Sequence, residues 1–502
     1  MSDGATPVSA AERFSDRCNP ILVREIQQAL RSKAFIVTLG LALASICAVA
    51  LLPAVEARPD ARDGREAFQV ALMLMAPILV FLIPLQAFMS MRQEVRGGTA
   101  EQLLLTELSP RRIVRGKLLA AMVQFVLFAS VFGPLLALTF LLNGVDVPTI
   151  AFYLVMGALC CLAATTLAVA LGALSRVDLL SPWLYAAAAA GLGAATVGLM
   201  VGIDESFLDV QRMLREPDFW LMMSAIVVYG FAGLVLLGMA AASILTHPYE
   251  NRSTQFRVFV VVLVATAFVW IRFATPPRWA DVITAGAFGI AVAAMLPFWL
   301  LAVIEEERLS PRVRSRVPRN AVLATLAAPL LPGGGRGLLF VALSAALAFG
   351  ASLLVCWLMA APGAGTFPPD RLVLSMSVIG LEYAFCYLAA GALVRRRLGP
   401  GPARSWSAIA VTLGLLTAGC IVPLLIDVVD GGGSARWSWL HLSNPFWTID
   451  HVASRRRVVL QDDVLVALAM PCAVLLVLSL PAIARGVGEV LAASRERRTR
   501  AA

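Results

Sequence analysis

From Leu118 to Val145 the chain carries no charged side chain, and it repeats that behaviour, or comes close to it, along most of its length. A hydrocarbon core about 30 Å thick takes about 20 apolar residues to cross as a helix. Stretches that meet or approach this length lie at 34–55, 67–91, 118–145, 149–175, 179–203, 219–246, 256–275, 282–304, 337–361, 371–394, 405–426 and 464–484. Lipid offers no water to backbone amides, so each stretch must close its hydrogen bonds internally, and a helix does that. The expectation is an all-α polytopic membrane protein with about 12 transmembrane helices. Composition agrees: 15% of residues are charged, against about a quarter in soluble domains. Arg272 interrupts the seventh run and is expected to snorkel to the nearer surface. A shorter apolar piece, Asn320 to Pro332, contains two prolines and is assigned to the membrane surface or to a re-entrant turn.

Cationic side chains concentrate in cytoplasmic loops, and that bias orients a membrane protein. With the N-terminus inside, 29 of the 41 Lys and Arg residues fall on the cytoplasmic side. The segment 204–218 then lies outside, with five acids against Arg212 and Arg215. Both termini are expected in the cytoplasm, and the protein in the cell's cytoplasmic membrane. The first 33 residues are too long and too mixed in charge for a signal n-region, so the first span is expected to stay uncleaved.

These patterns divide the chain into a tail and surface helix at 1–33, a membrane domain at 34–304, a charged cytoplasmic linker at 305–336 and a further four-span region at 337–502. That last region includes an outward aromatic loop at 427–463. In the surface helix, Ile21, Leu22, Ile26 and Leu30 recur at helical spacing among Arg24 and Glu25, as an interfacial helix requires.

The most structured of the charged loops is 92–117. Gly97 and Gly98 break the chain, Thr99 can cap a helix, and Gln102 three residues on completes a capping box. The helix should run over about 100–108, with Ser109-Pro110 ending it and starting the next. Leu104, Leu105 and Leu108 then share one side while Glu101 and Glu107 face elsewhere, leaving an apolar ridge with an acidic flank.

Glu94, Gly98-Thr99, Glu101, Leu103-Leu104, Leu108-Ser109, Ile113 and Gly116-Lys117-Leu118-Leu119 together resemble the loop between the second and third spans of ATP-binding-cassette permeases of the type-two, export-associated class. Ala100 departs from that pattern, which commonly has Leu there. The resemblance covers roughly the first 200 residues. It implies that this loop, through Glu94, Gly98, Thr99, Glu101, Leu104, Leu105, Leu108 and Ser109, and the surface helix press on a separate ATPase subunit. It also implies a homodimer or a heterodimer with a second permease, with ATP held by the partner and no cofactor on this chain.

The chemistry of the remaining residues is consistent with a non-enzymatic role. No Gly-x-x-x-x-Gly-Lys-Ser/Thr loop is present to cradle a nucleotide phosphate. The three His residues, 247, 441 and 451, have no metal-binding spacing, and the eight Cys residues contain no Cys-x-x-Cys pair. Neither a metal site nor a nucleic-acid partner is expected. Glu382 is the one acid deep in a span, where an ionised side chain costs at least about 2.5–3.5 kcal/mol. It is a candidate intramembrane polar site. It opens one alternative to the permease, a secondary transporter or channel that uses Glu382; the four extra spans, which have no assigned role, open a second, a non-transporting membrane scaffold. The motif of the 92–117 loop is not expected to recur in the second half, and no internal repeat is expected from the sequence.

Overall fold

The computed structural model describes residues 20–55, 61–98, 109–142, 144–175, 181–246, 251, 253–274, 280–359, 371–398, 402–429, 438–455 and 458–500. Among them the regular structure is helical throughout, with no strand. Nine helices among the described residues are long and apolar enough to cross a membrane, so the chain is a polytopic helical membrane protein.

The chain forms two compact units, Met1–Thr246 and His247–Ala502. In the first, α1 (Pro20–Leu30) leads into α2 (Lys33–Val55), with Ser32 at the joint. The Ser32 hydroxyl donates to the Ala29 carbonyl at 2.8 Å and accepts from the Phe35 N–H at 3.1 Å, ending one helix and starting the next. Helix α3 runs over Ala61–Ala76, passes through a π-helical turn at Pro77–Leu82 and continues over Ile83–Arg96. Pro77 has no N–H to donate, and a π turn is one way for a helix to absorb that loss. Then come α4 (Pro110–Leu141), α5 (Val147–Leu174), α6 (Ser181–Met213) and α7 (Pro217–Leu245). Phe68, Leu79, Phe128, Phe132 and Cys161 are buried where α3, α4 and α5 meet.

In the second unit α8 (Thr254–Ala274) and α9 (Ala280–Ile304) precede a folded segment with two short helices, α10 (Pro311–Arg314) and α11 (Ala321–Ala327). Helices α12 (Gly334–Met359), α13 (Arg371–Leu398), α14 (Pro402–Val429), α15 (Pro445–Arg455) and α16 (Val458–Thr499) follow. The charge pattern pointed to a linker at 305–336, but the boundary between units falls at 246/247 and the whole of 305–336 sits inside the second unit. Arg257 and Arg336, both buried, bind this segment in place. Arg257 donates to the carbonyls of Pro329 (2.7 Å) and Leu331 (2.8 Å) and to Glu305 (2.7 Å). Arg336 donates to the carbonyls of Pro332 (2.7 Å), Glu307 (2.7 Å) and Gly486 (2.9 Å).

The glycines that open α12 explain why it can pass so close to its neighbours. A Cβ at Gly337 would stand 2.0 Å from the Ala302 carbonyl oxygen, and one at Gly335 would stand 2.4 Å from that of Ala482. Helices in lipid gain contact by this kind of close approach at small residues. Gly337→Ala is therefore expected to lower the thermal unfolding midpoint of the detergent-solubilised protein, by the roughly 1–3 kcal/mol that overpacking costs. Gly350→Ala, where a Cβ would meet nothing within 4 Å, should leave the midpoint unchanged.

Candidate partner-docking site

Helix α3 ends at Arg96 with Gly97 as its cap, whose N–H donates to the Gln93 carbonyl at 2.8 Å. Gly98 follows with φ +71°, a left-handed conformation that suits glycine. Helix α4 starts with Pro110 at its first position and Ser109 extended before it. The chain break expected at Gly97-Gly98 and the start expected at Ser109-Pro110 are both present. Thr99, Glu101, Leu104, Leu105 and Leu108, which carry the expected ridge, lie outside the described residues.

What holds the two roots of the loop is a group of charges from three helices. Glu94, two residues short of the end of α3, and Lys117, in the third turn of α4, are both buried. Lys117 Nζ donates to Glu25 Oε1 at 2.8 Å and to Ser90 Oγ at 2.6 Å, and stands 3.2 Å from Glu94 Oε2. Ser90 Oγ donates in turn to Glu25 Oε2 at 3.0 Å. Arg24 Nη2 donates to Glu94 Oε1 and lies 3.1 Å from Glu25 Oε1. Two cations and two carboxylates thus close a neutral network in which α1 touches both ends of the 97–109 loop.

The burial pattern of α1 follows from that geometry. Ile21 is buried, Leu22, Arg24, Glu25 and Ile26 are half-buried, and Gln27, Gln28 and Leu30 are exposed, so one face of the helix lies on α4. An interfacial helix was expected here from its apolar spacing. Its charged residues Arg24 and Glu25 prove to be the contacts to α3 and α4, rather than a solvated face.

Sequence reasoning included Lys117 only as the end of a motif and passed over Ser90. One signal was available, since this Arg-rich chain keeps Lys at only two positions, 33 and 117. An ammonium is a compact point charge with three donors, whereas a guanidinium is a planar fork. The pocket between Glu25, Ser90 and Glu94 converges on one point and so fits the ammonium.

Glu382 lies in α13, half-buried, and one carboxylate oxygen has no hydrogen-bond partner among the described residues. The tyrosines beside it are engaged elsewhere: Tyr383 donates to the Leu442 carbonyl and Tyr387 to that of Ser443, each at 2.6 Å. The structure thus brings Glu25, Glu94 and Lys117 together in the first unit; Glu382 belongs to the second unit.

The chain matches no protein-family model, no curated protein and no solved structure.

Removing one member of a buried ion network strands the others, at a cost on the order of 3 kcal/mol. Lys117→Met is expected to lower the unfolding free energy by about that amount. Adding Glu25→Gln should then cost less than it does alone, with a coupling of about 0.5–3 kcal/mol in a double-mutant cycle followed by thermal unfolding.

Proposed function

We propose that this chain is the membrane-spanning permease subunit of an ATP-driven exporter of the ATP-binding-cassette type-two class, energised by a separate ATPase subunit that docks on the loop between its second and third spans. The observation that carries this reading is the charge network at the roots of that loop. Force applied by a partner to the 99–108 segment reaches the membrane only if the segment is fixed to the spans. Glu94 and Lys117 fix its two ends to each other, and Arg24 and Glu25 add the surface helix to the same body.

In this mechanism closure of the ATPase around ATP pushes the handle made by Leu104, Leu105 and Leu108. The push tilts α3 and α4 together with α1. The chain needs no nucleotide site of its own, in keeping with its lack of a phosphate-cradling loop. The reading places about twelve spans in the cytoplasmic membrane, with both termini and the 92–117 loop on the cytoplasmic side. Helices over Lys33–Val55, Ala280–Ile304 and Pro402–Val429 supply the spans beyond the nine that stand out by length and apolar content. A homodimer, or a heterodimer with a second permease, gives the pump its pair of handles.

Purification from native membranes tests this directly. The unaltered chain should bring down an ATPase with nucleotide-binding motifs, and Leu104→Asp/Leu108→Asp should lose it while remaining in the membrane at normal abundance. Absence of an ATPase from the unaltered complex would overturn the proposal.

A further inference from the structure

Among the described residues each unit contains six long helices, and the two sets pack by the same plan. In the first unit these are α2, α3, α4, α5, α6 and α7; in the second they are α8, α9, α12, α13, α14 and α16. In both, the second helix packs on the first, third, fourth and fifth. The third packs also on the first, fourth and sixth, and the fourth also on the fifth and sixth. A shared set of neighbours across six helices is far more specific than a shared helix count.

A smaller charge group sits at the corresponding place in this plan. In the first unit Glu94, near the end of the second helix, meets Lys117 of the third and Arg24 ahead of the first. In the second unit Glu305, just past the end of the second helix, meets Arg257 in the first turn of the first. It also accepts from the N–H of Gly333, the residue before the third helix, at 3.1 Å. The segment between second and third helices, 97–109 in one unit, is therefore 305–333 in the other. Leu-Ser-Pro-Arg occurs at 108–111, across the end of the first segment, and at 309–312, within the second, with the Ser-Pro pair opening a helix each time.

The sixth helices differ. Helix α7 has 29 residues, but α16 has 42. At 1.5 Å per residue α16 is about 63 Å long, roughly twice the thickness of a hydrocarbon core. Its surplus end lies on the 305–333 segment. Leu309, Val313, Val317 and Ala328 are buried against Val490 and Ala493. The Leu309 N–H donates to Glu489 Oε1 and Ser494 Oγ to the Arg319 carbonyl, each at 2.9 Å. The other carboxylate oxygen of Glu489 pairs with Arg336 at 3.2 Å, joining this cover to the charge network.

We propose that residues 247–502 are a second copy of the six-helix unit, and that its loop 305–333, the counterpart of 97–109, is sealed by the chain's own C-terminal helix end. If 97–109 is the partner-docking loop, its counterpart at 305–333 is covered by α16 and does not serve as a second one.

Cysteine labelling in sealed membrane vesicles with a membrane-impermeant maleimide, read residue by residue by peptide mass spectrometry, tests this without reference to any ATPase. Two tandem copies of a six-span unit have the same orientation, so Arg111→Cys and Arg316→Cys, both at exposed positions, should react from the same face. Val313→Cys should react at least tenfold more slowly than Arg316→Cys in the otherwise unaltered chain. It should become reactive when Val490→Asp/Ala493→Asp loosens the cover. Reaction of 111 and 316 from opposite faces would refute the duplication. Prompt reaction of 313 in the unaltered chain, or its continued protection after the two Asp substitutions, would refute the seal. A failed ATPase purification leaves these outcomes untouched, so the two proposals fall separately.

Discussion

A buried group of charges, Arg24, Glu25, Glu94 and Lys117, joined by Ser90, ties α1 to the end of α3 and the start of α4. Such a network is a poor source of stability, because desolvation consumes most of what the ion pairs return. It is a good source of geometry. The charges pair only while the other helices hold their positions, so α1, the end of α3 and the start of α4 have one arrangement that keeps each cation beside a carboxylate. Apolar side chains at the same positions would pack, but they would tolerate sliding and rotation in a way that directional bonds to an ammonium do not.

The second unit applies the same principle to a different end. Arg257 and Arg336 spend their donors chiefly on backbone carbonyls, those of Pro329, Leu331, Pro332, Glu307 and Gly486. A guanidinium that binds carbonyls from several segments freezes a loop. In the first unit the charges bind the roots of the loop, whereas in the second they and their carbonyl partners hold the loop along its length. Close helix contact at Gly335 and Gly337 adds to this, since no side chain separates α12 from α9 and α16. The two halves share one helix plan.

Membrane class was legible from run length alone, because the 30 Å hydrocarbon core dictates it. Helix boundaries at Gly97-Gly98 and Ser109-Pro110 were legible too, since local backbone chemistry decides them. The charge network was only half legible. Glu94, Arg24 and Glu25 drew attention, but their partnership spans 70 to 92 positions along the chain, and spacing carries no such long-range information. The 305–336 segment read as a linker because its charges look solvated in sequence, although Arg336 is buried and Glu305 is bound to Arg257. The shared helix plan was hidden for a related reason. Lipid-facing positions accept almost any apolar residue, so two copies can diverge in sequence while their neighbours stay the same.

The most direct test of the central claim is photocrosslinking in native membranes from a benzophenone amino acid placed at Leu105, with products identified by mass spectrometry. The account predicts a crosslink to a nucleotide-binding subunit carrying a Gly-x-x-x-x-Gly-Lys-Ser/Thr loop, weakened when Lys117→Met releases the roots of the handle. Crosslinks confined to lipid or to other parts of the same chain would contradict it.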